Sequence, residues 1–572
     1  MKKLFITLGL ATLLFSTNNL VAQDVNEKDQ KIMLENLDSY IKEVVAKWQL
    51  PGLSTTFSID GKVVFSKGYG TKELRPEDGK GLSGSLASDR GVKSGGFPGV
   101  VNTPNSPIDG NTLFQIGSTS KSFTATVIAD LIDEGKIKWT DTVSNILPDF
   151  KMYDPWVTEN MQIQDVMTHK SGLKEQSGTY IPNLGYTRDD VYKMLARIKP
   201  AYSFRGDYQY NNITFIIAEK IIEKVTGKSW EENVRERIFK PLKMDRSTMN
   251  GDGFATATNV ATPHNYSFEN GKIETLPLYG DEQALHWLTV VGPAGSIVSS
   301  TNDMAKYAQM HSNKGWLAVP NDNGGVDTVR IMSKAAMEKL HEGVTITSQT
   351  DSRTTLYAPC WFVEQNNQYR LYFHTGTTWG MTALCFYVPE LNFSGAILVN
   401  SEAGSLPRYA IMNRGIDLMI AERAGKDFSD PATIAALADK NTSSFNSWYK
   451  SAKESDDKDI AKRKEVAEQI AKGLKVLAPA PKAKVLVGDY VKDELFGNAK
   501  ITLEDGELYI AIGKMGFKNK LKHVEGNRFS VRSDGHTFPV NFTLDAKGKK
   551  ATGFEVEFRY GEEKDFDGWI RK

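Results

Sequence analysis

The stretch Phe114-Gln-Ile-Gly-Ser-Thr-Ser-Lys121 contains the spacing that decides the fold and the chemistry of this sequence. Ser118 and Lys121 stand three residues apart, where an amphipathic helical pattern begins that ends near Gly135. This spacing places both side chains on one face of a helix. A serine becomes a nucleophile when a neighbouring base takes its proton, and a desolvated lysine is neutral enough to be that base. The helix start adds a backbone N–H and a dipole that favour a developing oxyanion.

Two further motifs lie downstream of this stretch. Tyr210-Asn-Asn212 opens a second helical pattern over 213–225, and His374-Thr-Gly376 comes just before a group of short apolar strands. Upstream, Asp60-Gly61 separates two apolar runs, which predicts a β-hairpin. Strands at both ends of a long helical middle predict one mixed sheet packed by helices.

The order of these three motifs resembles that of the serine β-lactamase and penicillin-binding-protein superfamily. More closely, it is similar to the branch that holds class C β-lactamases, D-aminopeptidases, D,D-carboxypeptidases and related esterases. Five flanking segments also read like that branch, namely Leu50-Pro-Gly-Leu53, Lys67-Gly-Tyr-Gly70, Gln164-Asp-Val-Met-Thr-His-Lys-Ser-Gly-Leu173, Ile221-Ile-Glu-Lys-Val-Thr-Gly227 and Gly292-Pro-Ala-Gly-Ser-Ile-Val-Ser-Ser300. The resemblance covers roughly residues 30–425 and implies an α+β fold, with an antiparallel sheet packed by helices and an all-α insertion region.

The resemblance also implies a role for each matching residue. Ser118 would be the acylated nucleophile, with Lys121 and Tyr210 sharing the proton transfers. A phenol needs a lowered pKa to act as a base near neutral pH, and a nearby ammonium is the kind of group that lowers it. Asn212 would hold either the substrate amide or the lysine head group. The backbone N–H groups of Ser118 and Thr377 would form the oxyanion hole.

The His374-Thr-Gly376 motif is also the main departure from the resemblance. Class C β-lactamases and many penicillin-binding proteins have a lysine where this chain has His374, and that fixed charge helps to seat the substrate carboxylate. Histidine is largely neutral at pH 7 unless a neighbour raises its pKa, so efficient β-lactam hydrolysis is not expected. Thr375 and Gly376 would contact substrate, whereas His169 is assigned to support of the fold.

The chain divides into four segments. Residues 1–22 read as a cleavable export signal, so the protein is expected in the periplasm or outside the cell. The hydrolase-like domain covers 29–425 and contains a Gly- and Ser-rich surface insertion over 75–107. A charged helical connector and a Pro/Ala linker cover 426–484, and an all-β domain that resembles a lipocalin-like barrel covers 485–572. In such relatives the barrel contributes to oligomer contacts or covers the active site, and both alternatives stay open.

Composition excludes several other classes of function. The 70 Lys and Arg residues balance 70 Asp and Glu residues in a chain of 572, so no nucleic-acid partner is expected. The two cysteines, Cys360 and Cys385, form no CxxC pair, and His341-Glu342 lacks a second histidine at the zinc-protease spacing. We expect no metal, no cofactor and no permanent membrane anchor.

Together these features predict an exported serine hydrolase that cleaves amide bonds of small peptides, D-residues among them, through an acyl-enzyme on Ser118. A carboxylesterase or transesterase of the same fold, a weak β-lactamase and a non-catalytic envelope-ligand binding protein are the alternatives.

Overall fold

The computed structural model describes most of the chain, namely residues 27–74, 106–249, 257–267, 272–275, 282–321, 323–437, 441–472, 477–533, 536–556 and 568–572. The predicted export signal and nearly all of the predicted insertion lie outside the described residues. No helix in the described ranges is both long enough and apolar enough to cross a membrane.

An eight-stranded sheet forms the centre of the N-terminal domain, the one predicted over residues 29–425. It begins with β1 (Gly52–Ile59) and β2 (Lys62–Gly70), which Asp60 and Gly61 join with backbone φ angles of 50° and 76°. Its other strands are β3 (Thr345–Gln349), β4 (Arg353–Ala358), β5 (Trp361–Asn366), β6 (Arg370–Thr378), β7 (Met381–Val388) and β8 (Phe393–Val399). The spatial order is β3-β4-β5-β6-β7-β8-β1-β2. Every neighbouring pair is antiparallel, so the sheet is not mixed.

Helices cover both faces of this sheet. The sheet has a hydrophobic core on each face. In strand β7, Leu384 and Phe386 pack in one of these cores, and Ala383 and Cys385 pack in the other. This period of two places neighbouring side chains on opposite faces, and both faces are buried. The longer helices described in this domain are α1 (Glu27–Lys47), α2 (Ser120–Asp133), α3 (Phe215–Thr226), α4 (Glu282–Val290), α5 (Thr301–Ser312) and α6 (Pro407–Arg423).

The region between β2 and β3 is mostly helical, as expected, but it also contains strands. A three-stranded antiparallel sheet joins Phe114–Gln115, Ile297–Ser299 and Thr248–Met249. Two further antiparallel pairs join His264–Ser267 to Lys272–Thr275 and Trp316–Pro320 to Val326–Arg330. The shorter helices here are Val143–Ile146, Pro155–Asn160, Ile163–Met167, Arg188–Met194, Trp230–Val234, Gly292–Gly295 and Lys334–Leu340. The insertion region is therefore not purely α-helical.

Helix α2 is not amphipathic in the expected sense. Its residues from Ser120 to Ala129 are all buried, including Lys121. The segments Gly292–Gly295 and Lys334–Leu340 and helix α3 surround it. The apolar stripe seen in the sequence is only one of several packed faces, and the lysine on this helix lies in the protein interior.

A closed antiparallel barrel of eight strands forms the C-terminal part of the chain. Helix α7 (Asn441–Ala471) precedes it, and residues 477–482 between the two have no regular secondary structure. The barrel strands are β9 (Gly488–Val491), β10 (Asn498–Glu504), β11 (Glu507–Ile512), β12 (Phe517–Glu525), β13 (Arg528–Ser533), β14 (His536–Leu544), β15 (Ala551–Val556) and β16 (Trp569–Arg571). Aromatic side chains such as Tyr490, Phe554 and Trp569 are buried and pack against one another.

The barrel packs on the N-terminal domain through the turn between β11 and β12. The Met515 N–H in this turn donates to the Gly185 carbonyl at 3.1 Å. Lys514 forms an ion pair with the buried Asp190, and the Phe517 ring lies 5.2 Å from that of His286 in α4. These contacts connect the barrel to two segments that also border the cleft described next.

Candidate active site

Ser118 lies in a turn that leads from a short strand into α2. The strand Phe114–Gln115 is followed by a single 3₁₀ turn, Gly117–Thr119, before the α-helix starts at Ser120. Gly117 has a φ of 50°, a conformation that glycine adopts without the strain a Cβ would cause. Ser118 itself is partly exposed, whereas Thr119 and Ser120 on either side of the helix start are buried.

Lys121 reaches the serine from inside the protein. Its Nζ lies 3.0 Å from Ser118 Oγ, 2.7 Å from Asn212 Oδ1 and 3.1 Å from the Ala294 carbonyl oxygen. Its side chain has no exposed surface, and no carboxylate is recorded as its partner within the described part of the chain. Burial disfavours the charged form, which lowers the pKa of Lys121 to about 7. The amine is therefore neutral in a substantial fraction of molecules at neutral pH.

Tyr210 stands on the other side of the same amine. Its ring centroid lies 4.6 Å from Lys121 Nζ, and its hydroxyl is hydrogen-bonded to Ser118. Burial raises the pKa of Tyr210 above its ordinary value, and the bond to Ser118 opposes this only in part. The sequence-based expectation of a lowered pKa is therefore wrong, because desolvation outweighs the nearby amine. The phenol remains protonated at neutral pH.

His169 holds this tyrosine in place, in line with the structural role expected for it. It adopts a φ of 58°, and its Nδ1 accepts the backbone N–H of Asn211 at 3.1 Å. Its ring centroid lies 4.3 Å from that of Tyr210. Burial lowers the pKa of His169 well below its usual range, so it packs as a neutral ring.

Asn212 links the lysine to the wall of the cleft. Its Oδ1 accepts from Lys121, and its Nδ2 donates to Gln176 Oε1 at 2.9 Å. The backbone N–H of Gln176 in turn donates to the Tyr210 carbonyl at 2.9 Å. Of the two roles left open by the sequence, contact with the lysine head group is present in the structure.

Strand β6 passes very close to the Ser118 turn. A Cβ on Gly376 would lie 2.7 Å from the Ile116 carbonyl carbon and 3.0 Å from the Ser118 backbone nitrogen, and one on Gly117 would lie 2.9 Å from the Thr377 nitrogen. Two glycines without Cβ atoms therefore bring the backbone nitrogens of Ser118 and Thr377 into one small space. The Arg408 guanidinium, which is buried, fixes the strand by donating to the Gly376 carbonyl at 2.7 Å.

His374 borders the cleft as a buried, neutral histidine. Its Nδ1 is 2.7 Å from the Thr375 carbonyl oxygen and its Nε2 is 3.1 Å from the Tyr357 hydroxyl. Burial, with smaller repulsion from Lys121, lowers the pKa of His374 to about 3. It cannot supply the positive charge that a lysine at this position would supply.

A cleft of about 490 Å³ opens over these groups. It brings together all the residues singled out in the sequence except Lys121 and Gly376, which lie directly beneath its floor. Its described lining consists of Ser118, Gln176, Thr179, Tyr180, Tyr210, Asn212, Trp287, Phe362, His374, Thr375, Thr377, Thr378, Trp379 and Glu402. Strand β5 pairs with β6 only as far as Phe373, so the described chain leaves Thr375–Thr378 without a partner strand on the β5 side.

Several residues of this site were missed in the sequence. Gln176, Trp287, Trp379 and Glu402 lie in segments that carry no motif of their own. Arg408 could have been suspected only as one cation among many. Ala294 lies within a quoted flanking segment, but nothing in the sequence shows that its carbonyl receives a hydrogen bond from the lysine.

Within the described ranges, no group of three or more His, Cys, Asp and Glu side chains is arranged to hold a metal ion. The chemistry available in the cleft is that of a hydroxyl, an amine of lowered pKa, a phenol and two backbone N–H groups. Such a set fits nucleophilic attack on a carbonyl followed by stabilisation of an oxyanion.

Comparison with known sequences and structures places this arrangement in a family. The β-lactamase family profile matches residues 37–415. Unguisins hydrolase ungD' of Aspergillus campestris (strain IBT 28561) is 26% identical over 397 residues, which are 66% of this chain and 64% of that protein. Protein flp of Staphylococcus aureus (strain MW2) is 23% identical over 379 residues, which are 65% and 64% of the two chains. The match therefore spans less than two thirds of the length of these curated relatives.

Solved structures share the fold. The octameric penicillin-binding protein homologue from Pyrococcus abyssi has a TM-score of 0.51 at 21% identity, covering 94% of this chain and 100% of the other. The D-amino acid amidase from Ochrobactrum anthropi SV3, complexed with D-phenylalanine, has a TM-score of 0.51 at 17% identity, covering 69% and 99%. The family profile spans most of the chain, and the sequence motifs and the fold indicate the same family. The chain belongs to the β-lactamase family.

Proposed function

We propose that this protein is an exported hydrolase that cleaves amide bonds of small peptides, including peptides with D-residues, through an acyl-enzyme on Ser118. The coarser assignment as a serine hydrolase comes from the family. The finer one rests on the arrangement around Lys121 and on the charge of the cleft.

The observation that carries the mechanism is the set of three contacts made by Lys121 Nζ. The carbonyl oxygens of Asn212 and Ala294 can only accept hydrogen bonds, and a neutral amine has two hydrogens to give them. Its lone pair is then directed to the third contact, Ser118 Oγ at 3.0 Å. In the neutral form the geometry makes the amine an acceptor for the serine proton, and its pKa of about 7 keeps that form populated.

Acylation follows from these positions. Lys121 Nζ takes the Ser118 hydroxyl proton while Oγ bonds to the substrate carbonyl carbon. The negative charge moves to the carbonyl oxygen, which the backbone N–H groups of Ser118 and Thr377 stabilise. Donors of this kind contribute typically about 10²–10³-fold each.

Tyr210 supplies the proton for the leaving group. Its phenol is protonated at neutral pH and is hydrogen-bonded to Ser118, next to the bond that breaks. When the C–N bond breaks, the phenol protonates the amine nitrogen, and the Lys121 ammonium returns a proton to the phenolate. A water molecule then attacks the acyl-enzyme by the same route in reverse, which releases the acid and restores Ser118.

The substrate class is proposed from the cleft. His374 is neutral and buried, so it supplies no fixed charge for a β-lactam carboxylate. Trp287, Trp379 and Phe362 line an apolar wall suited to a peptide side chain. The amidase of the same fold, solved with D-phenylalanine, makes D-residues the first ones to test.

The test is intact-protein mass after incubation with a fluorophosphonate, in the wild type and in Ser118→Ala. We expect one adduct per wild-type chain and none on the folded variant. A panel of D- and L-aminoacyl amides, short esters and nitrocefin then ranks peptidase, esterase and β-lactamase activity. Folded wild-type protein that takes up no probe would overturn the acyl-enzyme and favour a binding protein.

Export and assembly are further parts of the proposal. Removal of residues 1–22 on secretion would be seen as a mature N-terminus between residues 22 and 24. Association through the barrel is suggested by the octameric homologue of the same fold, and light scattering of the full chain measures it.

A further inference from the structure

Glu402 lies at the end of the cleft, close to the proposed oxyanion hole. Its Oε1 accepts the backbone N–H of Gly380 at 3.1 Å, and Gly380 follows Thr377 by three residues. Thr377 lies opposite Thr382 in the sheet, and the Thr382 hydroxyl donates to the carbonyl of Ser401, the residue before Glu402. Two short links therefore connect the carboxylate to the backbone that would bind the substrate carbonyl.

The loop that carries Glu402 is well supported. The Ser401 side chain accepts the N–H of Ala403 at 3.2 Å, and the Ser401 carbonyl accepts the N–H of Gly404 at 3.1 Å. A 3₁₀ turn over Glu402–Ser405 leads directly into α6. The carboxylate is thus held at a fixed place, while Glu402 itself is exposed to the cleft.

The charged side chains that line the described part of the cleft carry only negative charge. Among the described residues that line it, Glu402 is the only Asp or Glu and there is no Lys or Arg. His374 is neutral, and the amine of Lys121 lies under the floor in contact with Ser118. A substrate carboxylate would meet a negative group and no compensating cation.

We propose that Glu402 is a specificity-determining residue that selects substrates with an ammonium group near the scissile bond and rejects those with a carboxylate there. This inference rests on the proposed acyl-enzyme chemistry and names the charge of its substrates. Protein atoms around the carboxyl group raise the pKa of Glu402, and a bound ammonium would favour its ionised form. The selected class is amides and peptides with a free amine, and the disfavoured class is β-lactams and peptides with a carboxylate next to the cleaved bond.

The experiment compares two fluorophosphonate probes that differ only at the end of a short chain, one ending in an ammonium and one in a carboxylate. The second-order rate of Ser118 labelling is measured for each in the wild type, in Glu402→Gln and in Glu159→Gln. Glu159 is exposed, lies outside the cleft lining and serves as the matched control.

We expect the wild type and Glu159→Gln to react at least about 10-fold faster with the ammonium probe, and Glu402→Gln to lose most of that preference. A 10-fold ratio corresponds to about 1.4 kcal/mol. The preference should also shrink at high salt, because exposed charges are screened. Equal rates for both probes in the wild type, or an unchanged ratio in Glu402→Gln, would overturn this inference and leave the acyl-enzyme intact. Absence of labelling by either probe would overturn the proposed function itself.

Discussion

Replacement of Gly376 by alanine should separate the oxyanion hole from the rest of the site. The added Cβ would overlap the Ile116 carbonyl oxygen and lie 2.7 Å from its carbon, where two carbon atoms normally stay about 3.5–4.0 Å apart. Both contacts are backbone atoms, so no side chain can rotate away. To restore a carbon–carbon separation of about 3.5 Å, strand β6 must move away from the Ser118 turn by roughly 0.8 Å or more.

A displacement of this size moves the Thr377 N–H away from the position of the oxyanion. Misplacement by about 1 Å costs roughly 10²-fold in rate, and loss of one oxyanion donor costs about 10²–10³-fold. We therefore expect the kcat/KM of Gly376→Ala to fall by roughly 10²-fold or more. The fall should appear mainly in kcat, because the lost contact forms with the transition state.

The assay is hydrolysis of the best amide substrate, together with the rate of fluorophosphonate labelling. Gly295→Ala is the matched control, since its added Cβ would meet nothing closer than 4.0 Å. Thermal unfolding of both variants shows whether the fold persists. A folded Gly376→Ala protein with wild-type kcat would refute the close approach of β6 to the Ser118 turn as the basis of the oxyanion hole.

Two further predictions concern pH. Because burial lowers the pKa of Lys121 to about 7, the rate of Ser118 labelling should rise as the pH passes through 7 and then level off. The Lys121→Arg variant should show neither this rise nor activity. A labelling rate that stays constant from pH 5 to 9 would contradict Lys121 as the base. Burial also lowers the pKa of His341 to about 3, so below pH 6.5 the unfolded chain binds a proton that the folded chain does not, and stability falls as the pH falls. Between pH 7.5 and 5.5 this effect lowers the free energy of unfolding by about 1.4 kcal/mol. In urea unfolding, the free energy of His341→Gln should therefore fall by about 1.4 kcal/mol less than that of the wild type over this pH range. An equal fall in both proteins would mean that His341 takes up its proton in the folded state.

The catalytic motifs could be found in the sequence because each has a fixed local geometry. Ser118 and Lys121 are neighbours on one turn, and a helix start predicts their relation without knowledge of the rest of the chain. The hairpin at Asp60-Gly61 was predictable for the same reason, because its turn requires residues that tolerate positive φ.

Features that depend on burial or on distant contacts could not be read in this way. The pKa of Tyr210 rises because of the surrounding protein, and no local pattern shows how much water is excluded. Ala294 and Arg408 act through their contacts with Lys121 and Gly376, which are far away in the sequence. Glu402 belongs to no motif, and the contact of its loop with the turn after β6 holds its carboxylate at the cleft.

The packing of the barrel against Gly185 has a consequence for the order in which parts of the protein fold during synthesis. Ser118, Lys121, Tyr210 and Thr377 all leave the ribosome well over a hundred residues before the β11–β12 turn that rests on Gly185. Domains tend to fold in order from the N-terminus during synthesis. We therefore expect the chemical groups to assemble first, while the segment leading to Tyr180 and Thr179 gains its outer support only when the C-terminal strands close. Full selectivity would then arise last, in the completed chain.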